Sequence, residues 1–570
     1  MDNRFLSAGA LAASVTLVAC GGGGGSGSSE SPVPPPQLSP AIGAALQGTC
    51  EDFAARSLPD TVITNAERVE TGELEVGGQP IAAHCLVTGR MFERIGPIDG
   101  EDYAIAFEMR LPLAWNGRFF HQGNGGLDGS VVTATGGPGG GGALTNALHQ
   151  GFAVLSSDAG HRGALGPNFG IDPQARLDYG YQAVAKLTPM AREMISAAYG
   201  KEPDRSYFGG CSNGGRHAMI AATRYASDYD GILVGAPGYN LPKAAVANIA
   251  AGQQFARAAT EPGNLGSAFT ADERRLVANA ILERCDALDG VVDGLVQDTA
   301  ACQAAFDLDR DVPTCTGVRD GSCLTETQKE VVASVSGGAR TSDGALVYAS
   351  FPYDPGVQSS NYAFWRFTAP LVLDSGAVGL VFQVPPEDPA TFNGPAFALG
   401  ADIDELVRKI NATDLTYTES AMSFMPPPNP TDMSGLRDRG GRIIAYHGTS
   451  DAIFSVQDTI NWFEGLQAAN DGDASSFARF YNVPGMAHCS GGPATDQFDL
   501  LSPLVAWVEH GTAPNAVIAR ARGVGNPGGV NSEVPSDWAA DRTRPLCPYP
   551  LVAHYSGEGD SERAENFVCR

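Results

Sequence analysis

One pentapeptide, Gly210-Cys211-Ser212-Asn213-Gly214, limits the possible folds of this chain more than any other segment. The apolar pair Tyr207-Phe208 before it is typical of a strand, and residues 215–224 after it can form a helix. Small residues flank the central serine because a strand-to-helix turn of this kind is sterically crowded. The pentapeptide therefore predicts an α/β sheet with Ser212 on a turn at its edge. The alternative is a glycine-rich turn that contains a serine by chance.

Ser212 is a candidate nucleophile, but a serine hydroxyl needs a histidine base and a carboxylate that orients this base. In open α/β hydrolases these partners follow the serine in the order Asp or Glu, then His. Asp451 follows an apolar strand over 443–446, and His488 follows the next predicted strand, 477–483. Both lie at strand carboxyl ends, the edge where such sites assemble. We predict a catalytic triad of Ser212, His488 and Asp451.

Three other histidines compete with His488 for the role of base. His447 lies only four residues before the predicted acid, His217 lies within the helix after the nucleophile, and His510 lies at the end of a predicted helix. We predict a structural role for each of them.

Acyl transfer also needs hydrogen-bond donors for the oxyanion that forms. The N-terminus of the helix after Ser212 offers the backbone N–H of Asn213. The segment 119–126 follows an early strand and is rich in glycine at its end, as are the loops that supply a second N–H in esterases. We predict Gly126 as this second donor; a simple glycine turn is the alternative.

The alternation of apolar runs with helical stretches predicts a sheet of parallel strands joined by helices. The runs before the middle of the chain are Tyr103–Phe107, Phe152–Leu155 and Ser206–Phe208. The alternation resumes at Arg442–Tyr446. Between them, residues 241–430 change to alanine-rich helices, cysteine-bearing loops and proline clusters. The sequence therefore predicts an α/β-hydrolase fold whose core (41–240 and 431–570) carries a large inserted lid domain (241–430).

The N-terminus has the form of a bacterial export signal. Arg4 precedes an apolar run that is too short to span a bilayer and ends in Leu17-Val18-Ala19-Cys20. We predict a lipoprotein signal peptide over 1–20 with lipidation at Cys20, followed by a Gly/Ser/Pro linker over 21–40. An ordinary signal peptide is the alternative. The protein is expected to be exported and lipid-anchored, most simply at the outer membrane, or periplasmic or secreted.

The cysteine count agrees with export. Without Cys20, ten of the eleven cysteines remain, an even number that indicates up to five disulfides. Cys211 precedes the predicted nucleophile and Cys489 follows the predicted base. If the two catalytic side chains are within hydrogen-bond reach, the Cα atoms of these cysteines fall within the ~4.4–6.8 Å that a disulfide requires. We predict a bridge between Cys211 and Cys489.

The formal charge of −27 makes nucleic acid a poor partner and suits a neutral or small substrate. The glycine tract 136–142 lacks the Gly-Lys-Ser/Thr of a phosphate loop, so we predict a surface loop there. We expect a monomer without an organic cofactor that contacts the membrane only through its lipid anchor.

Several longer motifs resemble the tannase and feruloyl esterase family over essentially the whole mature chain: Gly210–Arg216, Ser227–Gly231, His488–Gly492, Cys285–Gly290 and Arg544–Pro550. The resemblance implies an α/β-hydrolase core with a lid, the triad above, and a small ester of an aromatic acid as substrate. The acid would be feruloyl or another hydroxycinnamoyl, galloyl, or a terephthalate monoester.

The resemblance also implies four further disulfides and a calcium site in the lid. The disulfides would be Cys50–Cys85, Cys285–Cys302, Cys315–Cys323 and Cys547–Cys569. The calcium ligands would be the side chains of Asp286, Asp289 and Asp293 with the carbonyls of Val291 and Leu295. Carboxylates and carbonyls are the oxygen ligands that calcium prefers, although the spacing is not that of an EF-hand.

The candidate substrate pocket departs from the family at one place. In members that hydrolyse terephthalate monoesters, a lid arginine after a Trp-Arg segment holds the free carboxylate. Here the segment is Trp365-Arg366, and residues 368–386 after it contain no Arg or Lys. Arg366 is the nearest candidate cation, with a surface or structural role as the alternative. Gly125, Ile453 and Phe454 are further candidate pocket residues, and core packing is the alternative for the last two.

Three functions compete at this stage. The leading one is a serine carboxylic ester hydrolase that acts on aromatic esters through an acyl-enzyme. A surface lipoprotein that binds its ligand without turnover is a rival from another class, but such a module would not need all three triad residues. A peptidase is a weaker third possibility, disfavoured only by the family resemblance.

Overall fold

The computed structural model describes residues 35–137, 144 and 146–570, and these belong to one compact unit. The predicted signal peptide (1–20), Cys20, most of the predicted linker and most of the glycine tract lie outside the described residues. Among the residues that are described, no helix is both long enough and apolar enough to cross a membrane.

In the described part of the chain the main sheet has nine strands, in the order β9-β8-β7-β6-β4-β5-β3-β2-β1. They are β1 (Thr61–Val69), β2 (His84–Ile95), β3 (Asp102–Pro112), β4 (Arg118–Gly123), β5 (Ala153–Ser157), β6 (Arg205–Cys211), β7 (Gly231–Gly235), β8 (Arg442–Gly448) and β9 (Ala478–Val483). Strands β4 to β9 run parallel to one another. In this sheet only β4 and β5 are exchanged relative to chain order, and β6 lies between β7 and β4.

The first predicted strand, Tyr103–Phe107, is a strand, but the expectation that it is parallel was wrong. It belongs to β3, which pairs antiparallel with both β2 and β5. Only residues 96–101 separate β2 from β3. This connection is too short for the crossover of about a dozen residues that parallel neighbours need.

Helices cover both faces of the sheet. One buried cluster joins the strands to helices α1 (Ala183–Tyr199), α2 (Asn213–Arg224) and α4 (Val456–Ala468), and a second joins them to α5 (Leu501–His510). Neighbouring residues of one strand, Ile443 and Ile444, belong to different clusters, because successive side chains of a strand point to opposite faces. Strands β7 and β8 are buried along their whole length, which explains their continuous apolar sequences.

The long segment between β7 and β8 forms a cluster of its own around helix α3 (Leu241–Ala258). Most residues of this third cluster lie between 241 and 425, and Ile453 and Phe454 join it from the loop after β8. The lid also contacts this loop through polar groups, because Thr449 and Ser450 donate their hydroxyls to the buried carboxylate of Asp354. The lid therefore packs directly on the loop that carries Asp451.

Most of the remaining elements are short. The other α-helices are Pro173–Leu177, Ala271–Cys285, Thr299–Ala305, Leu308–Asp311, Glu326–Ser336, Ser360–Ala363, Gly394–Gly400, Ile403–Ile410, Ala421–Phe424 and Ser434–Arg437. The 3₁₀ segments are Glu51–Ala55, Gly163–Ile171, Leu265–Ala268, Asp286–Asp289, Pro355–Gln358 and Ala564–Asn566, and the π-helical turns are Asp178–Gln182, Phe364–Thr368, Pro370–Asp374 and Ala377–Phe382. Two-stranded ribbons pair Ala44–Ala45 with Ala114–Trp115, Glu75–Val76 with Gln79–Pro80, Val517–Arg520 with Thr543–Leu546, and Ala553–Tyr555 with Phe567–Cys569.

Candidate active site

Ser212 occupies the turn between β6 and α2 in a backbone conformation that few side chains adopt, with φ 65° and ψ −127°. The flanking glycines make this turn possible. A Cβ atom on Gly210 would lie 2.5 Å from the carbonyl oxygen of Gly123, and one on Gly214 would lie 2.3 Å from the same oxygen. The crowding explains the small residues of the pentapeptide, and the strained turn presents the Ser212 hydroxyl at the carboxyl edge of the sheet.

The structure brings the three predicted triad residues together. The Nε2 atom of His488 lies 2.8 Å from Ser212 Oγ, and its Nδ1 atom lies 2.7 Å from Asp451 Oδ2. Because a carboxylate oxygen can only accept a hydrogen bond, Nδ1 must carry the proton. Nε2 is therefore unprotonated and can accept a hydrogen bond from the serine hydroxyl. Both Asp451 and His488 come from loops after strands, β8 and β9, as their positions in the sequence predict.

Asp451 is held in place from several sides. Its Oδ1 atom accepts hydrogen bonds from the backbone N–H groups of Ile453 and Phe454, each at 3.0 Å. Burial raises the pKa of this carboxyl, but electrostatic attraction to His488 and the hydrogen bonds from His447 and His488 outweigh burial and hold the pKa well below its usual range. Asp451 is therefore a carboxylate at any pH where the protein works, as an orienting acid must be.

His447 contacts the triad directly. Its Nε2 atom lies 3.2 Å from Asp451 Oδ2 and 3.1 Å from the carbonyl oxygen of Phe454, and its Nδ1 atom lies 2.8 Å from Thr459 Oγ1. Both partners of Nε2 accept, so this nitrogen donates. The predicted structural role of His447 is thus specific: it is a positioning residue for Asp451. The spacing of four residues between them was the sequence signal for this contact.

The two predicted oxyanion donors line the same cavity as Ser212. Asn213 is the first residue of α2, so its backbone N–H has no partner within the helix. Gly126 has φ 65° and open space where a Cβ would lie, and the hydroxyl of Tyr179 donates to its carbonyl oxygen at 3.3 Å. Both predicted donors therefore border the cavity that contains the nucleophile.

A buried polar network behind the nucleophile was not predicted. The side-chain amide of Asn213 donates to Asp128, and its oxygen accepts from Arg216 Nε at 2.6 Å. His217 lies 3.3 Å from Asp128, and burial lowers its pKa well below the usual value, which agrees with a structural role. These contacts fix the first turn of α2. Arg216 follows the glycines at the end of the motif, but nothing in the sequence indicates its buried partners.

The disulfides of the structure are the five expected pairs. Cys211 and Cys489 are bonded with a Cα–Cα distance of 6.1 Å, so the residue before the nucleophile is linked to the residue after the base. The other pairs are Cys50–Cys85, Cys285–Cys302, Cys315–Cys323 and Cys547–Cys569.

Ser212 and His488 open into a cavity of about 450 Å³. Two aromatic rings flank the catalytic imidazole edge to face: the ring centroid of Trp365 lies 5.2 Å from that of His488, and the centroid of Phe454 lies 5.4 Å from it. Ile453 and Gly125 also line the cavity. The walls are mostly apolar and suit a flat aromatic group.

Arg366 does not belong to this cavity, contrary to its proposed place in the substrate pocket. Its guanidinium carbon lies 4.0 Å from the ring centroid of Phe351, and its Nη1 atom lies 3.5 Å from Asn248 Oδ1. The side chain is buried beside these groups in the lid, where the cation–π contact with the aromatic ring partly offsets the loss of hydration. Its role is structural.

The predicted calcium ligands lie in one acidic loop. Asp286 accepts hydrogen bonds from two backbone N–H groups of the loop, and Asp293 is paired with Arg544. The Oδ2 atom of Asp289 is buried and has no hydrogen-bond partner among the described residues, and burial together with the neighbouring carboxylates raises the pKa of Asp289 to about 7. Within the described ranges no three carboxylate, imidazole or thiol groups converge on one point, so a calcium ion here would depend on the carbonyl ligands as well. The predicted calcium ligands in this loop are Asp286, Asp289, Val291, Asp293 and Leu295.

Comparisons with known proteins agree with this geometry. A family model described as tannase and feruloyl esterase matches residues 85–570. Mono(2-hydroxyethyl) terephthalate hydrolase (MHETase) of Piscinibacter sakaiensis is 39% identical over 546 residues, which cover 89% of this chain and 88% of that protein. The structure of feruloyl esterase B from Aspergillus oryzae has a TM-score of 0.69 at 24% identity and covers 91% of this chain and 99% of its own. Tannin acyl hydrolase from Aspergillus niger has a TM-score of 0.65 at 19% identity, covering 90% of this chain and 92% of its own.

Proposed function

Because this chain belongs to the tannase and feruloyl esterase family and is a carboxylic ester hydrolase with the α/β-hydrolase fold, we propose that it hydrolyses esters of aromatic acids through Ser212, His488 and Asp451. The observation that carries the proposal is the hydrogen-bonded chain from Ser212 Oγ through His488 to Asp451, at the wall of a cavity with aromatic sides. A binding module would have no use for this chain of hydrogen bonds.

The proposed reaction has two steps. Ser212 Oγ attacks the ester carbonyl carbon while His488 Nε2 takes the serine proton, and the N–H groups of Asn213 and Gly126 stabilise the oxyanion. The intermediate collapses, and His488 returns the proton to the departing alcohol. Water then attacks the acyl-enzyme with His488 as base, which releases the acid and restores the serine. Asp451 stabilises the imidazolium in both steps.

A second candidate reaction is that of MHETase, the release of terephthalate and ethylene glycol from the terephthalate monoester. The identity of 39% with that relative favours it. The contrary observation is that no lysine or arginine lines the described part of the cavity, so a free substrate carboxylate has no cationic partner there.

A fluorophosphonate probe tests the proposal, because it labels only a serine that a neighbouring base activates. We expect stoichiometric labelling of the folded protein, with peptide mapping that places the label on Ser212. Ser212→Ala should take up no label. An unlabelled wild type, or a label on another residue, would contradict the triad and favour the non-catalytic binding protein.

We also propose that the acidic loop of the lid binds calcium, which would neutralise the neighbouring carboxylates of Asp286, Asp289 and Asp293. The Oδ2 atom of Asp289 supports this, because it is buried and no group in the described part of the chain donates to it. Calcium at a hundred times its Kd would stabilise the fold by about 2.7 kcal/mol. Thermal unfolding in excess calcium and in EDTA should therefore differ by about 2 °C, since the entropy of unfolding of a chain of this length is roughly 1 kcal/mol/K.

Two variants make the calcium test specific. Asp289→Asn should abolish the difference between calcium and EDTA. Asp309→Asn should retain it, because Asp309 is an acidic lid residue whose side chain is 88% exposed. Equal unfolding temperatures of the wild type in calcium and in EDTA would rule out the site.

Export with a lipid on Cys20 remains our proposal from the sequence pattern that ends in Ala19-Cys20. Cells grown with an alkyne-tagged fatty acid should incorporate the tag into the wild-type protein. Cys20→Ser should lose the tag and leave the membrane fraction. A tag that persists in Cys20→Ser would place the lipid elsewhere.

A further inference from the structure

The two predicted oxyanion donors are joined by side chains that take no part in the proposed proton transfers. The peptide between Gly125 and Gly126 passes close to the nucleophile, since a Cβ atom on Gly125 would lie 3.9 Å from Ser212 Cβ. In the described part of the chain no group accepts a hydrogen bond from the backbone N–H of Gly126 or Asn213. Both N–H groups are therefore free to donate to a substrate, and their spacing decides how well they stabilise an oxyanion.

Asp128 contacts both of the segments that carry these donors. Its backbone N–H donates to the carbonyl oxygen of Gly125 at 3.1 Å. This carbonyl and the N–H of Gly126 belong to one planar trans peptide and point in opposite directions, so a bond to the first fixes the direction of the second. The carboxyl of Asp128 accepts a hydrogen bond from the side-chain amide of Asn213, and the Asp128 side chain is only 3% exposed. One residue therefore links the Gly126 peptide to the first residue of α2.

A second series of hydrogen bonds joins the same two segments on their other side. The side-chain oxygen of Asn213 accepts from Arg216 Nε at 2.6 Å, and Arg216 Nη2 donates to the carbonyl oxygen of Tyr179 at 2.9 Å. The hydroxyl of Tyr179 donates to the carbonyl oxygen of Gly126 at 3.3 Å. Together with the short backbone from Gly126 to Asp128, these contacts close a ring. This donor ring consists of Gly126, Asp128, Asn213, Arg216 and Tyr179.

The surroundings of the donor ring hold it in one arrangement. Arg216 and Tyr179 are completely buried and Asn213 is 1% exposed, so their polar groups cannot exchange these partners for water. Asp128 has φ 49°, a left-handed conformation that Asp and Asn adopt more readily than most residues. Such a conformation persists where the surrounding contacts impose it, and it is common at active sites. The alternative is that the ring only anchors α2 to the core.

We propose that Asp128 is a positioning residue that holds the two oxyanion donors at a fixed spacing, and that Arg216 and Tyr179 complete the ring through which it acts. This inference rests on the proposed function, since it requires an oxyanion beside Ser212. The oxyanion forms only in the transition state and the tetrahedral intermediate, so the spacing of its donors affects kcat and leaves substrate binding nearly unchanged. A network that only anchored α2 would affect the stability of the fold and not this chemistry.

Asp128→Gly opens the donor ring with little other change. Glycine adopts a positive φ without strain and keeps the backbone N–H that donates to Gly125. Only the side-chain contacts with Asn213 and His217 are lost. Complete loss of one oxyanion donor costs about 100- to 1,000-fold in kcat, and a donor that is present but displaced should cost less. We expect kcat to fall about 10- to 100-fold, with KM within about threefold of the wild-type value.

Two further variants test the individual links of the ring. Asp128→Asn keeps an oxygen that can accept from Asn213 and also tolerates the positive φ, so its kcat should be within about fivefold of the wild-type value. Tyr179→Phe removes the hydroxyl that donates to Gly126 and so opens the ring on its other side. It should lower kcat by about two- to fivefold, because the bond from Asp128 to the Gly125 carbonyl remains.

Thr188→Val is the matched control. It deletes a buried hydroxyl whose hydrogen bonds, to the Val184 carbonyl and the Tyr229 hydroxyl, are each 2.7 Å long and lie outside the donor ring. Its loss should lower the stability of the fold and leave kcat at the wild-type value.

A pair of substrates reports on the oxyanion donors directly: methyl 4-hydroxycinnamate and its thionoester, in which sulfur replaces the carbonyl oxygen. Sulfur is a weak hydrogen-bond acceptor, so the thionoester gains little from the two N–H groups. The ratio of kcat/KM between the oxygen and the sulfur ester is measured within each enzyme, so a partly folded variant does not distort it. This ratio should be about 100-fold or more in the wild type and in Thr188→Val, and should fall by about tenfold or more in Asp128→Gly.

The outcomes distinguish this inference from the proposed function. An oxygen-to-sulfur ratio that stays at the wild-type value in both Asp128→Gly and Tyr179→Phe would overturn the role of the donor ring alone. If Asp128→Gly does not fold, the ratio in Tyr179→Phe decides. A raised KM with an unchanged kcat in Asp128→Gly would also overturn the role, since Asp128 would then shape the cavity. Failure of the wild type to hydrolyse the oxygen ester would overturn the proposed function and this inference together.

Discussion

Ser212→Ala is expected to lower kcat on an aromatic ester by about five orders of magnitude and to leave KM within a few-fold of the wild-type value. The hydroxyl is the only group of the triad that bonds to the acyl carbon, so its loss removes the covalent route and not the cavity. Residual turnover should come from the oxyanion donors and from binding. Steady-state kinetics, with mass spectrometry to exclude wild-type contamination, measure the effect.

The hydrogen bond between Ser212 and His488 also predicts how the effects of substituting both residues combine. Groups that act as a unit lose their effects non-additively, so His488→Ala should cost about as much as Ser212→Ala. The double variant should be no slower than either single one. Additive losses would mean that the 2.8 Å contact between Ser212 and His488 does not operate in catalysis. A loss in kcat of less than tenfold for Ser212→Ala would assign the nucleophile to another residue.

Removal of the Cys211–Cys489 disulfide, by alanine at both positions, should have the second largest effect. The two cysteines are 278 residues apart in the sequence, and a crosslink that closes a loop of this size stabilises the fold by about 5 kcal/mol in the chain-entropy model. Because the bond joins the neighbours of Ser212 and His488, its loss should also loosen their contact and lower kcat. Chemical denaturation and kinetics measure the two effects separately.

A second disulfide provides the matched control. Cys315 and Cys323 are separated by only 8 residues in the lid, so alanine at both positions should cost about 2–3 kcal/mol and leave kcat near the wild-type value. Equal losses of stability in the two double variants would contradict the loop-length argument. An unchanged kcat without Cys211–Cys489 would show that packing alone holds the base against the nucleophile.

The sequence was most informative where function depends on short segments. The turn around Ser212 needs small neighbours, and Asp451 and His488 follow strands, so local pattern and chain order together identified the three residues that the structure brings together. The cysteine pair next to Ser212 and His488 followed from the same reasoning. The antiparallel pairing of β3 was missed because the alternation of apolar runs does not record strand direction.

The parts that the sequence did not reveal depend on contacts between distant segments. Asp128 was missed because its contacts with Asn213 and His217 are fixed only by tertiary packing. In the lid, residues 368–386 contain no Lys or Arg, and this made Arg366 the candidate cation, but Arg366 stacks on Phe351. Asp374, within that stretch, lines the cavity of Ser212 but was not a candidate. A buried carboxylate and a solvated one have the same letter in a sequence, and only the fold shows which of them lines a cavity.

The contact between the lid and the loop after β8 has a consequence for enzyme engineering. Asp354 of the lid accepts the hydroxyls of Thr449 and Ser450, immediately before Asp451, and Ile453 and Phe454 are packed within the lid cluster. The lid thus contacts the two residues before Asp451 and two residues shortly after it, and so fixes the position of the triad acid. If the lid were exchanged for that of a relative to change the substrate, the residues that pack around Asp451 would change as well. Substrate specificity and catalytic rate in this enzyme therefore cannot be redesigned independently.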